Sequence, residues 1–318
     1  MSFTENKKIM VYVESKENKA VQAGLEVLTP AKELASEVIV VTNSEEAAKQ
    51  VSTMGVQKVF VIEDTFEIER EAKNLVQLVK EENPSLLFMG ATPIGKDLAA
   101  EVAAKVKGAC ITDAIGVKEE NGTIVYTCPV YGGTVLNDIT SDADIQVVSI
   151  RSGIFKKPEG NGEQVEVVKV PVEVHNLKTV VKETVKEIAE AVNLEEADVI
   201  VAGGRGLGNE ENFKLVEELA EVCGGVVGAT RPAIEANWIS RAHQVGQSGK
   251  IVAPKLYIAL GISGATQHVS GMIGSGYVIA VNKDEDAPIF DVADVGIVGD
   301  VVKVIPLLIE EFKKRKDN

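Results

Sequence analysis

VIVAGGRGLG, residues 199–208, is followed from Asn209 by NEENFKLVEELAEV, which has helical spacing. A short apolar run, a glycine-rich turn and a helix in that order make one step of a parallel α/β layer, and the same order can cradle a pyrophosphate. The glycines at 203, 204, 206 and 208 give no G-x-G-x-x-G in any register, and Arg205 stands in the middle of the turn. The stretch therefore predicts an α/β fold that lacks the usual dinucleotide fingerprint. It also raises the question of which phosphate-bearing ligand calls for an arginine there.

C-terminal to this stretch the same texture repeats. GGVVGAT (224–230), KLYIALG (255–261), YVIAVN (277–282) and VGIVGD (295–300) are short, apolar and regularly spaced, as buried parallel strands are. VVKVIPLLIEEFKKRK closes the chain as a helix whose basic last turn suits the negative end of its dipole. N-terminal to it, KTVVKETVKEIAEAVN (178–193) reads as a charged amphipathic helix or linker, which places a domain boundary near residue 190. IMVYVE (9–14), VIVVT (38–42), KVFVIE (58–63) and SLLFMG (85–90) alternate with helical stretches in the first half. From about residue 110, TIVYTCPVYGGTVLNDITS and ADIQVVSIRS read as antiparallel strands, with a tight turn at EENGTIV. EQVEVVKVPVEV (163–174) alternates like an edge strand containing Pro171. The expected architecture is thus α/β in two domains. Residues 1–190 form a mixed-sheet α/β domain, and residues 191–318 form a doubly wound, Rossmann-like one.

A length of 318 residues fits two domains. A net charge of −15 argues against nucleic acid, whose phosphates need Lys and Arg. Cys110, Cys128 and Cys223 are scattered singly, so neither a disulfide framework nor a metal site is indicated, and reduced, mostly buried thiols are expected. MSFTENKKIMVYVE reaches its first strand at once, without the character of a signal or transit peptide, and no apolar run is long enough to span a bilayer. A cytoplasmic protein is the expectation.

GATPIGKD (90–97) nearly matches a phosphate-binding P-loop. Its last position is Asp97, which would repel phosphates and offers no magnesium-ligating hydroxyl. Asp97 reads instead as the N-cap of the helix DLAAEVAAKV. The second domain is different, because polar groups stand where its strands end, and open α/β sheets bind ligands there. Arg205 follows the first strand, Thr230 and Arg231 the second, and Ser263, Gly264, Ala265, Thr266, Gln267 and His268 the third. Asn282 ends the fourth and Asp300 the fifth. Taken singly, Arg205 reads as a solvated arginine, Asn282 as a turn former and Asp300 as a helix cap; their common edge predicts a shared ligand site. HQVGQSGKIV (243–252), with Val245, Gly246, Gln247 and Ser248, is a glycine-spaced loop suited to close approach by a ligand. His243 reads as a surface histidine.

At these residues the sequence resembles the alpha subunit of electron-transfer flavoprotein. The resemblance lies in GGRGLG, ENFKLVEELA (211–220), GATRP (228–232), QVGQSGKIVAPKLYIALGISGATQH (244–268) and VNKDEDAPIFDVADVGIVGD (281–300), and more loosely in the block starting at GATPIGKD. It implies FAD bound in the second domain, a beta subunit as partner, and electron exchange with an acyl-CoA dehydrogenase or similar flavoenzyme. It further implies that Arg205 lies by the FAD with the glycine turn and helix start, Thr230 near its phosphates, and Asn282 and Asp300 at its adenosine end. Arg231, Ser248 and His268 would surround the isoalloxazine, with Gln247 and the 263–267 loop lining the cleft. Arg231 would supply permanent charge, His268 a hydrogen bond to the C2 carbonyl and Ser248 one to N5. Ser248 and Thr230 replace the family's frequent Thr and Ser, and both keep the hydroxyl. An alternative is a subunit of an NADH-oxidising electron-bifurcating complex. An NAD-dependent dehydrogenase is disfavoured, because Arg231 stands where a ribose-binding carboxylate is expected.

Overall fold

The computed structural model describes residues 7–62, 67–133, 135–160, 162–171, 178 and 193–316. The chain divides into two compact units, residues 1–185 and 186–318. Apart from its two end residues, the charged helix expected over 178–193 lies outside the described residues.

The first unit opens with β1 (Lys8–Val13) and a small ribbon of β2 (Ser15–Lys16) and β3 (Lys19–Ala20). It continues through β4 (Glu37–Thr42), β5 (Lys58–Val61), β6 (Leu86–Gly90), β7 (Ala109–Ala114), β8 (Gly116–Glu120), β9 (Thr123–Val130), β10 (Val135–Ile139), β11 (Gln146–Ile150) and β12 (Val167–Lys169). Seven of these strands form one sheet in the order β12-β5-β4-β1-β6-β11-β7, with every neighbouring pair parallel. Along β1, Ile9, Val11 and Val13 face one apolar cluster and Met10 and Tyr12 the other, so the strand is buried on both sides. The helices Ile68–Glu82 and Pro93–Val106 cover the second face with Leu75, Leu78, Leu98 and Val102.

The antiparallel strands form a separate sheet, β10-β9-β8, whose Ile124, Tyr126 and Cys128 pack on the first face. Its β8–β9 turn is made by Asn121 and Gly122, both at positive φ (52° and 82°), as a two-residue hairpin requires. The expectation that residues 146–150 are antiparallel is corrected: β11 is parallel, between β6 and β7. All five of its residues are buried, and burial on both faces erases the alternation that distinguishes a half-exposed strand. The edge strand is β12, beside β5, and it ends at Lys169 before Pro171, while residues 172–174 lie outside the described set. Of the three thiols only Cys128 is buried; Cys110 is exposed and Cys223 intermediate.

The helix after β6 starts earlier than expected. Thr92 is its N-cap, accepting from Gly95 N at 2.9 Å and donating to Glu14 Oε2 at 2.6 Å, with Pro93 at the first helical position. Asp97 is an exposed residue inside the helix and caps nothing. Gly95 is folded against the Gly90 carbonyl so closely that a Cβ there would overlap it, which leaves no phosphate cradle in this turn.

The second unit contains β13 (Val199–Gly203), β14 (Val226–Ala229), β15 (Leu256–Leu260), β16 (Val278–Asn282) and β17 (Val295–Val298), all parallel in the order β14-β13-β15-β16-β17. One face is covered by two long helices, Glu210–Cys223 and Val301–Lys316, through Phe213, Val216, Leu219, Val301 and Ile305. The other is covered by loops and short turns that contribute Leu194, Val245, Val252, Met272 and Ile289. Among the described residues no helix is long and apolar enough to cross a membrane.

The cap assignment has a measurable consequence. Thr92→Ala should cost about 1 kcal/mol of stability, while Asp97→Ala should stay within about 0.5 kcal/mol of wild type. Urea unfolding of the two variants measures the difference, and the reverse order would contradict the cap geometry.

Candidate functional site

Numbering the second unit's strands in chain order, its sheet runs 2-1-3-4-5. The order reverses between β13 and β15, and chain connections leave in opposite directions on either side of that pair. The register aligns Ala229, Gly203, Leu260 and Val281 across neighbouring strands, with Asn282 opposite Val298. The residues that follow these ends therefore share one edge. At roughly 4.8 Å between strands, the edge from β14 to β17 spans about 19 Å.

At the reversal two glycine turns lock together. Gly204 N donates to Leu260 O and Gly206 N to Gly261 O, both at 2.9 Å. Added Cβ atoms at Gly204 and Gly206 would lie 2.5 Å and 2.7 Å from the Gly261 carbonyl oxygen, and Gly261 itself holds φ +62°. Gly203 is needed for a different neighbour, since its Cβ would meet the Phe213 ring at 2.5 Å. The helix that follows is capped by its own Asn209, whose Oδ1 accepts from Asn212 N at 2.9 Å, and Glu210 and Glu211 occupy its first turn. The close packing of these glycines has a structural reason of its own, whatever the turn and helix start contribute to a cofactor. Gly204, Gly206 and Gly261 serve backbone contact between two strand ends, and at the helix start Asn209 caps one N–H, that of Asn212. Arg205 begins a single 3-10 turn, is exposed on the shared edge, and has no ion-pair partner among the described residues.

Thr230 follows β14 and is 7 % exposed. Its backbone N–H donates to Gly203 O, but its side-chain hydroxyl is buried and has no hydrogen-bond partner among the described residues. A buried, unpaired hydroxyl costs on the order of 1–3 kcal/mol and calls for a ligand atom or a strong compensating reason. Arg231 starts the short helix Arg231–Glu235; its Nε donates to Glu235 Oε1 at 2.7 Å, with both side chains largely exposed. An exposed pair of this kind holds the guanidinium weakly, by at most about 1 kcal/mol.

The loop from residue 244 to 250 returns to the same edge by an isolated bridge between Ala229 and Gln244. Gln247 and Ser248 are exposed on it, while Val245 is core. Gln244, which the sequence reading passed over, is buried, and its Nε2 donates to Ser248 Oγ at 2.9 Å, leaving the serine's own hydrogen free to point outward. Beyond β15, Ser263, Ala265, Thr266 and Gln267 are exposed, and Gly264, at φ +89°, lies so close to Ile289 N that no Cβ fits. Ala265 precedes the helix Thr266–Val269 and offers no side-chain cap.

One residue departs from its expected surroundings. His243 is buried, with Nδ1 2.7 Å from Val227 O, and is no surface group. His268 has Nδ1 3.1 Å from Val245 O and Nε2 2.9 Å from the Tyr257 hydroxyl. Burial pushes its pKa down to about 4, although the bond to Val245 acts upward, and the ring is neutral at pH 7. Asn282 donates from Nδ2 to Ile262 O at 2.8 Å and accepts from Asp284 N at 3.0 Å, bracing the loop beyond β15 as well as ending β16. Asp300 caps the last helix, its Oδ1 accepting from Val302 N at 3.1 Å; the carboxylate is nonetheless exposed on the shared edge.

A family model described as the electron transfer flavoprotein domain matches residues 9–175. A second, the electron transfer flavoprotein FAD-binding domain, matches residues 193–273, a span that holds Thr230, Arg231 and His268 and stops short of Asn282 and Asp300. The chain is 42 % identical to a Megasphaera elsdenii protein named electron transfer flavoprotein subunit alpha, over 99 % of each. A protein of the same name from Thermoanaerobacterium thermosaccharolyticum is 40 % identical over 98 % of this chain and 99 % of its own. Protein FixB of Clostridium saccharobutylicum is 40 % identical over 99 % of this chain and 98 % of its own.

His268 makes stability pH-dependent. Its folded pKa lies below the unfolded value of about 6.5, so the unfolded chain takes up the proton first and stability falls as pH drops from 6.5 towards 4. At pH 5 the loss from this group is about 2 kcal/mol relative to pH 7. Unfolding of wild type and His268→Asn at the two pH values should show a smaller pH difference in the variant.

Proposed function

Since this chain belongs to the electron transfer flavoprotein alpha-subunit family, with FAD as the cofactor of its second domain, we propose that the FAD lies along the strand-end edge described above. The observation that carries this reading is the orphaned hydroxyl of Thr230, buried at the edge between two exposed arginines in a sheet whose order reverses there. Thr230 Oγ1 donates to a phosphate oxygen, and Arg205 neutralises phosphate charge from the neighbouring strand end. The exposed 263–267 segment contributes backbone N–H groups. Asp300 and the turn after Asn282 hold the adenosine end.

FAD, when bound, supplies the chemistry of accepting and releasing electrons. The protein's residues set how favourable that is. Arg231, released from Glu235, brings a charge that cannot be deprotonated and so favours the more negative, reduced cofactor. Ser248, already accepting from Gln244, has a hydrogen to give to a ring nitrogen. His268, buried beside this loop, lies on the isoalloxazine side of the same edge in this reading.

The name subunit alpha shared by the relatives supports a second subunit, and we infer a beta subunit as partner, with an acyl-CoA dehydrogenase or similar flavoenzyme delivering electrons. The alternative, a subunit of an NADH-oxidising bifurcating complex, is separated by experiment. If NADH rapidly bleaches the flavin absorbance of the complex with its partner subunit, the simple-carrier reading fails; an absent response supports it.

Thr230→Val keeps the shape and removes the orphan. It should leave stability unchanged or raised, while weakening FAD binding by about 10- to 100-fold, the worth of one hydrogen bond to a charged group. Equal FAD affinity in variant and wild type, measured by fluorescence titration, would remove the central support. Arg231→Ala should lower the flavin potential while sparing most binding, and spectroelectrochemistry of the complex measures the shift.

A further inference from the structure

Ser248 stands at the tip of the 244–250 loop, which its own backbone closes. Lys250 N donates to Gln244 O at 2.8 Å, Gly246 N to Lys250 O at 3.1 Å and Gly249 N to Gly246 O at 2.9 Å. Gly249 permits the closure, since a Cβ there would stand 2.4 Å from Gln244 O and 2.9 Å from Gln244 Cγ. At its base the loop is fastened to β14, where Val245 N donates to Ala229 O at 2.9 Å. The bond from Gln244 Nε2 to Ser248 Oγ crosses this loop from base to tip, and the closure does not need it.

A buried amide at the base of the loop needs a reason. Gln244 is 5 % exposed, and its N–H left unpaired there would destabilise the fold. A Met of similar length would fill the same space without that cost. What the amide adds is direction. Serine is unbranched, so its own side chain does not fix χ1, and its hydroxyl hydrogen turns freely about the C–O bond. A donor placed on one lone pair excludes the hydrogen from that side. Ser248 itself is exposed, so the excluded side is the buried base and the open side is the strand-end edge.

The geometry points to Gln244 as a positioning residue that acts through Ser248: its buried amide holds the serine oxygen and aims the one hydroxyl hydrogen at the cofactor edge. This rests on the reading that Ser248 faces the flavin. A donor aimed at a ring nitrogen binds the more negative, reduced cofactor more strongly than the oxidised one. Gln244 therefore raises the flavin potential by way of the serine.

A double-mutant cycle tests this. In the FAD-loaded complex with the partner subunit, Ser248→Ala and Gln244→Met should each lower the preference for reduced over oxidised flavin. The expected loss is about three- to tenfold, the worth of one hydrogen bond, read from the midpoint potential. In the Ser248→Ala background, Gln244→Met should change that preference by less than about 1.5-fold. A shift of equal size in both backgrounds would make Gln244 a packing residue and overturn the proposal. So would a Gln244→Met potential equal to wild type where Ser248→Ala lowers it. If Ser248→Ala itself leaves the potential unchanged, the serine does not face the flavin, and the functional reading of this loop fails together with the proposal. Should Gln244→Met not load FAD, solvent exchange of the Gln244 side-chain amide hydrogens decides the matter by NMR of ¹⁵N-labelled complexes. It should speed about tenfold from wild type to Ser248→Ala, and equal rates would refute the assigned bond.

Discussion

Two backbone turns touch at the centre of the second unit because Gly204, Gly206 and Gly261 have no side chains. The contact is worth two hydrogen bonds, Gly204 N to Leu260 O and Gly206 N to Gly261 O, but its larger effect is steric. Any side chain there would drive the ends of β13 and β15 apart at the place where the strand order reverses. Thr230 is tied to the same point through its N–H on Gly203 O, and Asn282 through its amide on Ile262 O. Four strand ends are therefore referenced to one contact, and with them the polar groups they carry.

Under the proposed function, that arrangement lets an acidic protein present a site for an anion. The chain as a whole carries −15, and the first turn of the helix after β13 adds Glu210 and Glu211 close by. The compensation is local. Arg205 and Arg231 stand exposed on the edge, with at most a weak surface partner. At the acidic helix start Asn209 caps the N–H of Asn212, while the arginines stand on the edge itself. At physiological ionic strength charges farther apart than about 8 Å are largely screened, so the near cations outweigh the distant net charge.

Much of the fold was legible because buried parallel strands announce themselves as short continuous apolar runs, and IMVYV, VIVAG and LYIAL are such runs. The same property misled at β11, where burial on both faces left no alternation to read. It also hid Tyr257, which in sequence is one more large residue in a core strand. The sequence reading took Asp97 for the cap because Gly95 weakens the helix start, although Thr92 followed by Pro93 carries the ordinary start signal, which the Gly95 N to Thr92 Oγ1 bond bears out. The gathering of polar residues at strand ends could be read from the sequence, and the cofactor from resemblance. What could not be read is pairing: that Thr230 has no partner, that both nitrogens of His268 do, and that the glycines serve one another.

The two faces of the second unit's sheet are protected unequally. One lies under two helices of 14 and 16 residues, and the other under loops and turns whose backbone is held by scattered contacts. Segments of the second kind open at lower free energy than the body of a domain, and hydrogen exchange and proteolysis find them first. The proposed cofactor edge draws on those loops, so ligand binding closes the routes by which the unit opens most easily, and resistance to degradation follows occupancy by mass action. On that reading, a chain without its flavin opens first on its loop-covered side.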